Sequence, residues 1–339
     1  MSATYAEAIR QALAEELERD PNVFLIGEDI GESGGVFGAT KGLWERFGPD
    51  RLLDTPISEE AVVGAAVGAS LIGGRPVVEI MFGDFAALAM DMIVNQAAKI
   101  HYMTGGQLCA PLVVRMVTGT AGATAAQHSQ SLEAWFVHTP GLKVAVPSTP
   151  EDAYVLLKEA IEDPDPVIFF EHKMLYSKRS DVPLATSESS SSSFGTGRIR
   201  REGSDVTIVS YLKTLDDALQ AAGQLELEGI SCEVFDPRTL VPFDRDGLAS
   251  SLAKTGRLVI AHEAPVRAGV GAEIAAIAAA ECFDLLTAPI ARVGGLNTPV
   301  PYAPEMEHFT LPDADRIAST VRSVLEPREP LSASNHKEV

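Results

Sequence analysis

The chain has 339 residues, enough for two domains of ~150 residues or one large α/β unit. At 46% hydrophobic and 22% charged residues it has the composition of a folded globular protein, which excludes a disordered chain. Its 27 basic and 47 acidic residues give a net charge of −20, which would repel phosphate backbones and anionic lipid heads. Nucleic-acid and membrane-surface roles are therefore not expected, and a basic protein partner would suit.

A helix is predicted from Tyr5, capped by Thr4, carrying Ile9, Leu13 and Leu17 on one face and ending at Asp20-Pro21. Val23 to Ile26 reads as a buried strand, and the glycine-rich Gly27 to Gly42 as a loop. Glu59 opens a helix of small residues that runs on through Ala61 to Gly73. Strands are predicted at Pro76–Met81, Leu112–Met116, Lys143–Val146 and Val167–Phe170, and helices at Ala86–Tyr102 and Pro150–Ile161. The serine run Ser187 to Ser193 reads as a linker. The pattern then restarts, with strands at Val206–Ser210, Cys232–Phe235, Leu258–Ala261 and Ala291–Val293. Helices alternate with them at Leu215–Glu228, Leu248–Thr255, Gly271–Cys282 and Asp313–Leu325. Continuous apolar strands alternating with helices imply an α/β protein of two domains, each a mostly parallel sheet flanked by helices. The expected division is a first domain over 1–182, a linker over 183–204, a second domain over 205–328 and a tail over 329–339.

Cys109, Cys232 and Cys282 are too few and too scattered for a disulfide framework or a zinc site, and each is expected to act as a small core hydrophobe. Met1 to Asp20 lacks a signal-type apolar core, and no apolar run approaches the ~20 residues of a membrane span. The expectation is a soluble, cytoplasmic protein. There is no phosphate loop, no nucleophile elbow and no zincin helix. Gly269-Val270-Gly271 is half of a dinucleotide fingerprint without its third glycine, and reads as a close strand-to-helix turn.

Polar residues in loops that follow apolar strands mark the candidate site, because sites in parallel sheets form outside the strands' carboxyl ends. The segments are Gly27-Glu28-Asp29, Asp54-Thr55-Pro56-Ile57-Ser58-Glu59 and Ala126-Gln127-His128-Ser129-Gln130-Ser131. Taken singly, Glu59 could be a first-turn acid favoured by the helix dipole, His128 a solvated loop histidine and Phe85 a core residue.

Together with Gly34-Gly35-Val36-Phe37, Arg75-Pro76-Val77-Val78-Glu79, His138-Thr139-Pro140-Gly141-Leu142 and Pro166-Val167-Ile168-Phe169-Phe170-Glu171, these segments stand in the order of one family. The chain resembles the beta subunit of the thiamine-diphosphate-dependent first component of 2-oxo acid dehydrogenase complexes, the acetoin dehydrogenases included. Asp236-Pro237-Arg238-Thr239-Leu240-Val241-Pro242-Phe243-Asp244 and Thr298-Pro299-Val300-Pro301-Tyr302 resemble the carboxyl-terminal domain of transketolases, so the likeness covers nearly the whole chain.

The resemblance implies a transketolase-like pyrimidine-binding domain followed by a transketolase C-terminal-type domain. It implies thiamine diphosphate held between an alpha and a beta subunit in an α2β2 heterotetramer, with Mg2+ on the alpha side. The alpha chain's Gly-Asp-Gly motif is absent here, where Phe85 follows Gly83-Asp84. Glu59 matches the catalytic glutamate that shares a proton with the aminopyrimidine ring; a carboxyl buried beside an apolar ring can exchange a proton near neutrality. Phe85 matches the aromatic that stacks on that ring. Ile57 and Met81 would line the same pocket, and Glu28 would continue a proton path. His128 matches a histidine at the site's mouth that handles substrate or a lipoyl group. Leu112, Ala160, Ile161, Asp163 and Asp165 align with a potassium site of some relatives.

The function implied is cleavage of a 2-oxo acid, pyruvate first, or of acetoin. The acyl group would pass to a lipoyl arm of an acyltransferase core. Half of a split transketolase-like enzyme, or a non-catalytic homodimer keeping the fold, are the alternatives.

Overall fold

The computed structural model describes residues 2–180 and 194–326. The first helix, Tyr5–Arg19, opens with a capping box: the Glu7 amide donates to Thr4 Oγ1, and the Thr4 amide donates to the Glu7 carboxylate. Its buried face of Tyr5, Ile9, Leu13 and Leu17 packs on the helix Pro150–Glu162, whose first turn holds Pro150 behind the cap Thr149.

The first sheet has seven strands in the spatial order Thr239–Val241, Lys143–Ala145, Val167–His172, Val113–Thr118, Arg75–Ile80, Val23–Gly27, Leu52–Asp54. All neighbours run parallel except Thr239–Val241, which is antiparallel to Lys143–Ala145. Val113–Thr118 and Val167–His172 are buried at every residue, which is why they read as unbroken apolar runs. The second sheet has five strands in the order Ala291–Gly295, Leu258–Pro265, Val206–Ser210, Cys232–Asp236, Arg198–Arg201, the last antiparallel to its neighbour and the rest parallel. One apolar cluster runs across both domains, joining Met116, Phe136 and Phe170 to Tyr211, Leu252 and Ile260.

Several segments depart from expectation. The serine run lies outside the described residues, but Arg198–Arg201, inside the expected linker over 183–204, is the edge strand of the second sheet. Its arginines hide the strand signal. Arg200 donates to Asp152 of the first domain and to Asp236 of the second, so charge pairing rather than apolar burial seats this strand. Thr239–Val241, expected as part of the second domain, completes the edge of the first sheet. The helix predicted over Ala86–Tyr102 is an α segment Ala86–Asp91, a π turn Met92–Ala97 and a final turn Ile100–Met103.

Cys232 and Cys282 are buried. Cys109 is a correction: it is half-buried in a polar loop, its Sγ 3.4 Å from His101 Nδ1. Gly269 and Gly271 make the expected close turn, since a Cβ on either would stand 2.7 or 2.6 Å from the His262 ring. No described helix is long and apolar enough to cross a membrane.

Candidate active site

Glu59 is the first residue of the helix Glu59–Ser70 and is 8% exposed. An acid there faces the helix's unsatisfied amides, which favours it electrostatically. It borders two cavities. The inner one is small and narrow, lined by Gly27, Glu28, Val62, Glu79, Ile80 and Met81. The outer one is an open groove along the helix, lined by Ile57, Ser58, Glu60, Ala61, Gly64, Leu88 and Met92. Met81 and Ile57 therefore line different cavities, joined through Glu59. Glu28 Oε1 accepts from the Ser58 amide at 3.2 Å, tying the loop after Val23–Gly27 to the start of the helix. Burial raises the Glu28 carboxyl above its ordinary range; the Ser58 amide opposes this and the Glu59 charge adds to it.

Phe85 ends the short turn Gly83–Phe85 that follows the strand Arg75–Ile80. Its half-buried ring meets the Phe82 ring at 5.6 Å and the His128 ring at 5.3 Å, both edge-on, and Phe82 meets His128 at 4.8 Å. The imidazole thus rests on two aromatic edges, in favourable geometry. The loop that carries it is tied down by residues the sequence did not single out. Asp84 Oδ1 accepts from the Gln130 amide at 3.2 Å and from its side chain at 2.9 Å. Glu263, from the second domain, accepts from the Thr120 amide at 2.8 Å and pairs with His172 Nε2 at 2.8 Å. His172 Nδ1 accepts from the Met174 amide, so its proton sits on Nε2 and donates to Glu263. Gly119 passes so close that a Cβ would come 2.1 Å from His172 Nε2, at φ +78, a position for glycine alone.

Beneath both regions lies a buried charge network. Arg115 donates to Glu79 at 2.7 Å and to Glu171 at 2.6 and 2.9 Å, and Tyr176 donates to Glu171. Burial lifts the Glu79 carboxyl, against the pull of Arg115. Glu79 also lines the inner cavity, so the network braces the floor under Glu59.

Four of the five residues aligned with a potassium site have partners in this chain. Lys143 Nζ lies 2.7 Å from both Asp163 oxygens and 3.2 Å from Asp165. The Ile161 carbonyl accepts from Arg75, and that of Leu112 from the Val167 amide. The segment aligned with a potassium site, Leu112, Ala160, Ile161, Asp163 and Asp165, is thus a turn whose two acids are paired with the Lys143 ammonium.

The Glu59 region does fit half of a coenzyme. A buried carboxyl opposite an apolar wall suits an uncharged nitrogen heterocycle. The groove's charged lining residues are Glu59 and Glu60, both acidic, so nothing in it suits a diphosphate. Two mostly parallel sheets, with such a half-site at the strand ends of the first, define a transketolase-type α/β protein. The profile described as "Transketolase, pyrimidine binding domain" matches residues 1–178, and "Transketolase, C-terminal domain" matches 195–317.

The chain is 45% identical to the pyruvate dehydrogenase E1 component subunit beta-2, mitochondrial, of Oryza sativa subsp. japonica, over 98% of this chain and 88% of that one. It is 46% identical to the pyruvate dehydrogenase E1 component subunit beta of Rickettsia felis, over 96% and 98%. It is 45% identical to the acetoin:2,6-dichlorophenolindophenol oxidoreductase subunit beta of Bacillus subtilis, over 94% and 96%. A solved "Split gene transketolase, inactive beta4 tetramer" superposes with a TM-score of 0.76 at 26% identity, covering 95% and 97% of the two chains. The chain belongs to the family of beta subunits of thiamine-dependent 2-oxo acid dehydrogenase first components. Membership implies thiamine diphosphate as the cofactor.

Proposed function

We propose that this chain is the beta half of an α2β2 heterotetramer that cleaves a 2-oxo acid, pyruvate first, and passes the acyl group to a lipoyl arm of an acyltransferase core. The observation that carries the reading is Glu59, a nearly buried acid at a helix start, between a narrow carboxylate-lined pocket and an open apolar groove. Ile57 and Leu88 on that groove are 82% and 62% exposed, apolar surface suited to an alpha subunit. The alpha subunit would bring the diphosphate and Mg2+ sites, since among the described residues no cluster of side chains could hold a metal ion.

When bound, thiamine diphosphate supplies the carbanion chemistry. Glu59 would hold the proton shared with the aminopyrimidine nitrogen, and an alpha subunit seated on the open groove would exclude water from it. Glu28, tied to the helix start through Ser58 and raised by burial, passes protons to and from Glu59. His128, held in the loop after the strand Val113–Thr118, would orient the substrate carbonyl or the lipoyl sulfur and donate a proton to it. Acetoin is the alternative substrate, supported by the Bacillus subtilis relative. The split-transketolase reading draws on the superposition at 26% identity and is outweighed by relatives at 45–46%.

The test is calorimetric titration with thiamine diphosphate and magnesium, with and without a co-expressed alpha subunit, followed by turnover of pyruvate, acetoin and branched 2-oxo acids. We expect saturable binding and lipoyl-linked turnover with the pair, and weak binding by this chain alone. Equal binding by the lone chain, or ketol transfer between sugar phosphates by the pair, would overturn the reading.

A further inference from the structure

Lys173 stands outside every motif used so far. It opens the short turn Lys173–Leu175 directly after the strand Val167–His172 and is 6% exposed. Its Nζ donates to the Gly119 carbonyl at 2.6 Å and to the His128 carbonyl. It also stands 5.0 Å above the Phe82 ring, whose edge supports the His128 imidazole. The carboxylates of Asp84, Glu263 and Glu307 act on it through space, without contact. An ammonium buried without a contact ion pair is costly, so its placement must hold something that would otherwise move. The two carbonyls it grips are the two ends of the loop that carries His128.

We propose that Lys173 is the positioning residue for His128: its ammonium clamps the Gly119 and His128 carbonyls and so fixes the imidazole against Phe82 and Phe85. This rests on the reading of His128 as the active-site histidine. The clamp has a physical limit. Burial lowers the Lys173 ammonium to about 8, and Asp84, Glu263 and Glu307 oppose that fall. The groups facing it are Asp84 after the strand Arg75–Ile80, Glu263 on Leu258–Pro265, Glu307 on Pro304–Thr310, its neighbour His172 and His128 itself. Below that value the clamp carries its charge. Above it, one donor and the charge are lost, and the loop loosens.

The test uses hydrogen exchange on the cofactor-free chain and kinetics on the reconstituted pair. Lys173→Met keeps the stem and removes the donors. We expect amide exchange across residues 119–130 to rise by about tenfold or more. We expect lipoyl-linked kcat to fall roughly 10–100-fold with KM for pyruvate little changed, and proton exchange at the thiazolium, the Glu59 readout, to persist. Lys173→Arg keeps donors and a permanent charge, so it should hold the loop and abolish the activity loss near pH 8.

Unchanged loop exchange in a folded Lys173→Met variant would overturn the proposal. If that variant does not fold, Lys173→Arg decides, and a retained alkaline limb would overturn it. Failure of the functional reading is separable: His128→Ala at full turnover would remove His128 from the chemistry while leaving the loop-exchange result intact.

Discussion

Glu59 and His128 both lie beyond strand ends of one sheet, yet they are held in opposite ways. Glu59 is placed by its own helix start and one neighbouring loop, and it faces an apolar groove with Ile57 and Leu88 bare beside it. His128 is placed by distant residues: Phe82 and Asp84, then Lys173, then Glu263 of the second domain through Thr120. Under the proposed function, the first region is a half-site whose remaining wall an alpha subunit would supply. The second is held by contacts from both domains of this chain. A helix start fixes its own first residue, whereas a residue in a loop needs anchors from elsewhere in the sequence.

That contrast can be broken most sharply at Glu59. With an alpha subunit supplied, Glu59→Gln should reduce thiazolium proton exchange by roughly 10² or more while leaving this chain's melting midpoint unchanged. A large loss of stability instead would mean that Glu59 is structural and that the two regions are alike.

The next effect belongs to His128. His128→Ala should lower lipoyl-linked turnover roughly 10–100-fold and spare proton exchange at the coenzyme, because it lies outside the Glu59 pocket. Wild-type turnover with both lipoyl and artificial acceptors would show that the anchored loop serves something other than chemistry.

The smallest effect sharpens the account of the domain junction. Glu133 lies just after the His128 loop, fully buried, with Oε2 unpartnered. Burial pushes its carboxyl from 4.5 to about 7; the local amide opposes this and Glu263 adds to it. The folded chain therefore keeps a proton that the unfolded chain sheds as pH rises from 4.5 to 7. Stability falls across that window, by roughly 3 kcal/mol in all, and levels off above it. Glu133→Gln should flatten the fall, read as calorimetric midpoints at pH 5 and pH 8. An undiminished slope would assign the proton to another group.

The sequence made legible what local rules decide. The strands Val23–Gly27 and Val206–Ser210 show as apolar runs, and the first helix shows in its Thr4 cap and its spacing. Glu59 is recognisable from its helix start and the motif around it. Lys173 and Glu263 are not, because they act through backbone groups roughly 45 to 143 residues away, and no local spacing encodes that. Arg198–Arg201 escaped for a related reason, being seated by carboxylates at Asp152 and Asp236. Phe85 was recognisable as an aromatic near the site, but its edge-on contact with His128 follows from tertiary packing alone.

The strand Thr239–Val241 has a consequence for synthesis. The border of the first sheet at Lys143–Ala145 is complete once this later segment pairs with it. On the ribosome, a nascent chain that has already built its amino-terminal half still offers that border's open peptide groups, a template for stray strands of other chains. Cutting the gene after the first domain would make that hazard permanent, so the two halves are better expressed as one piece.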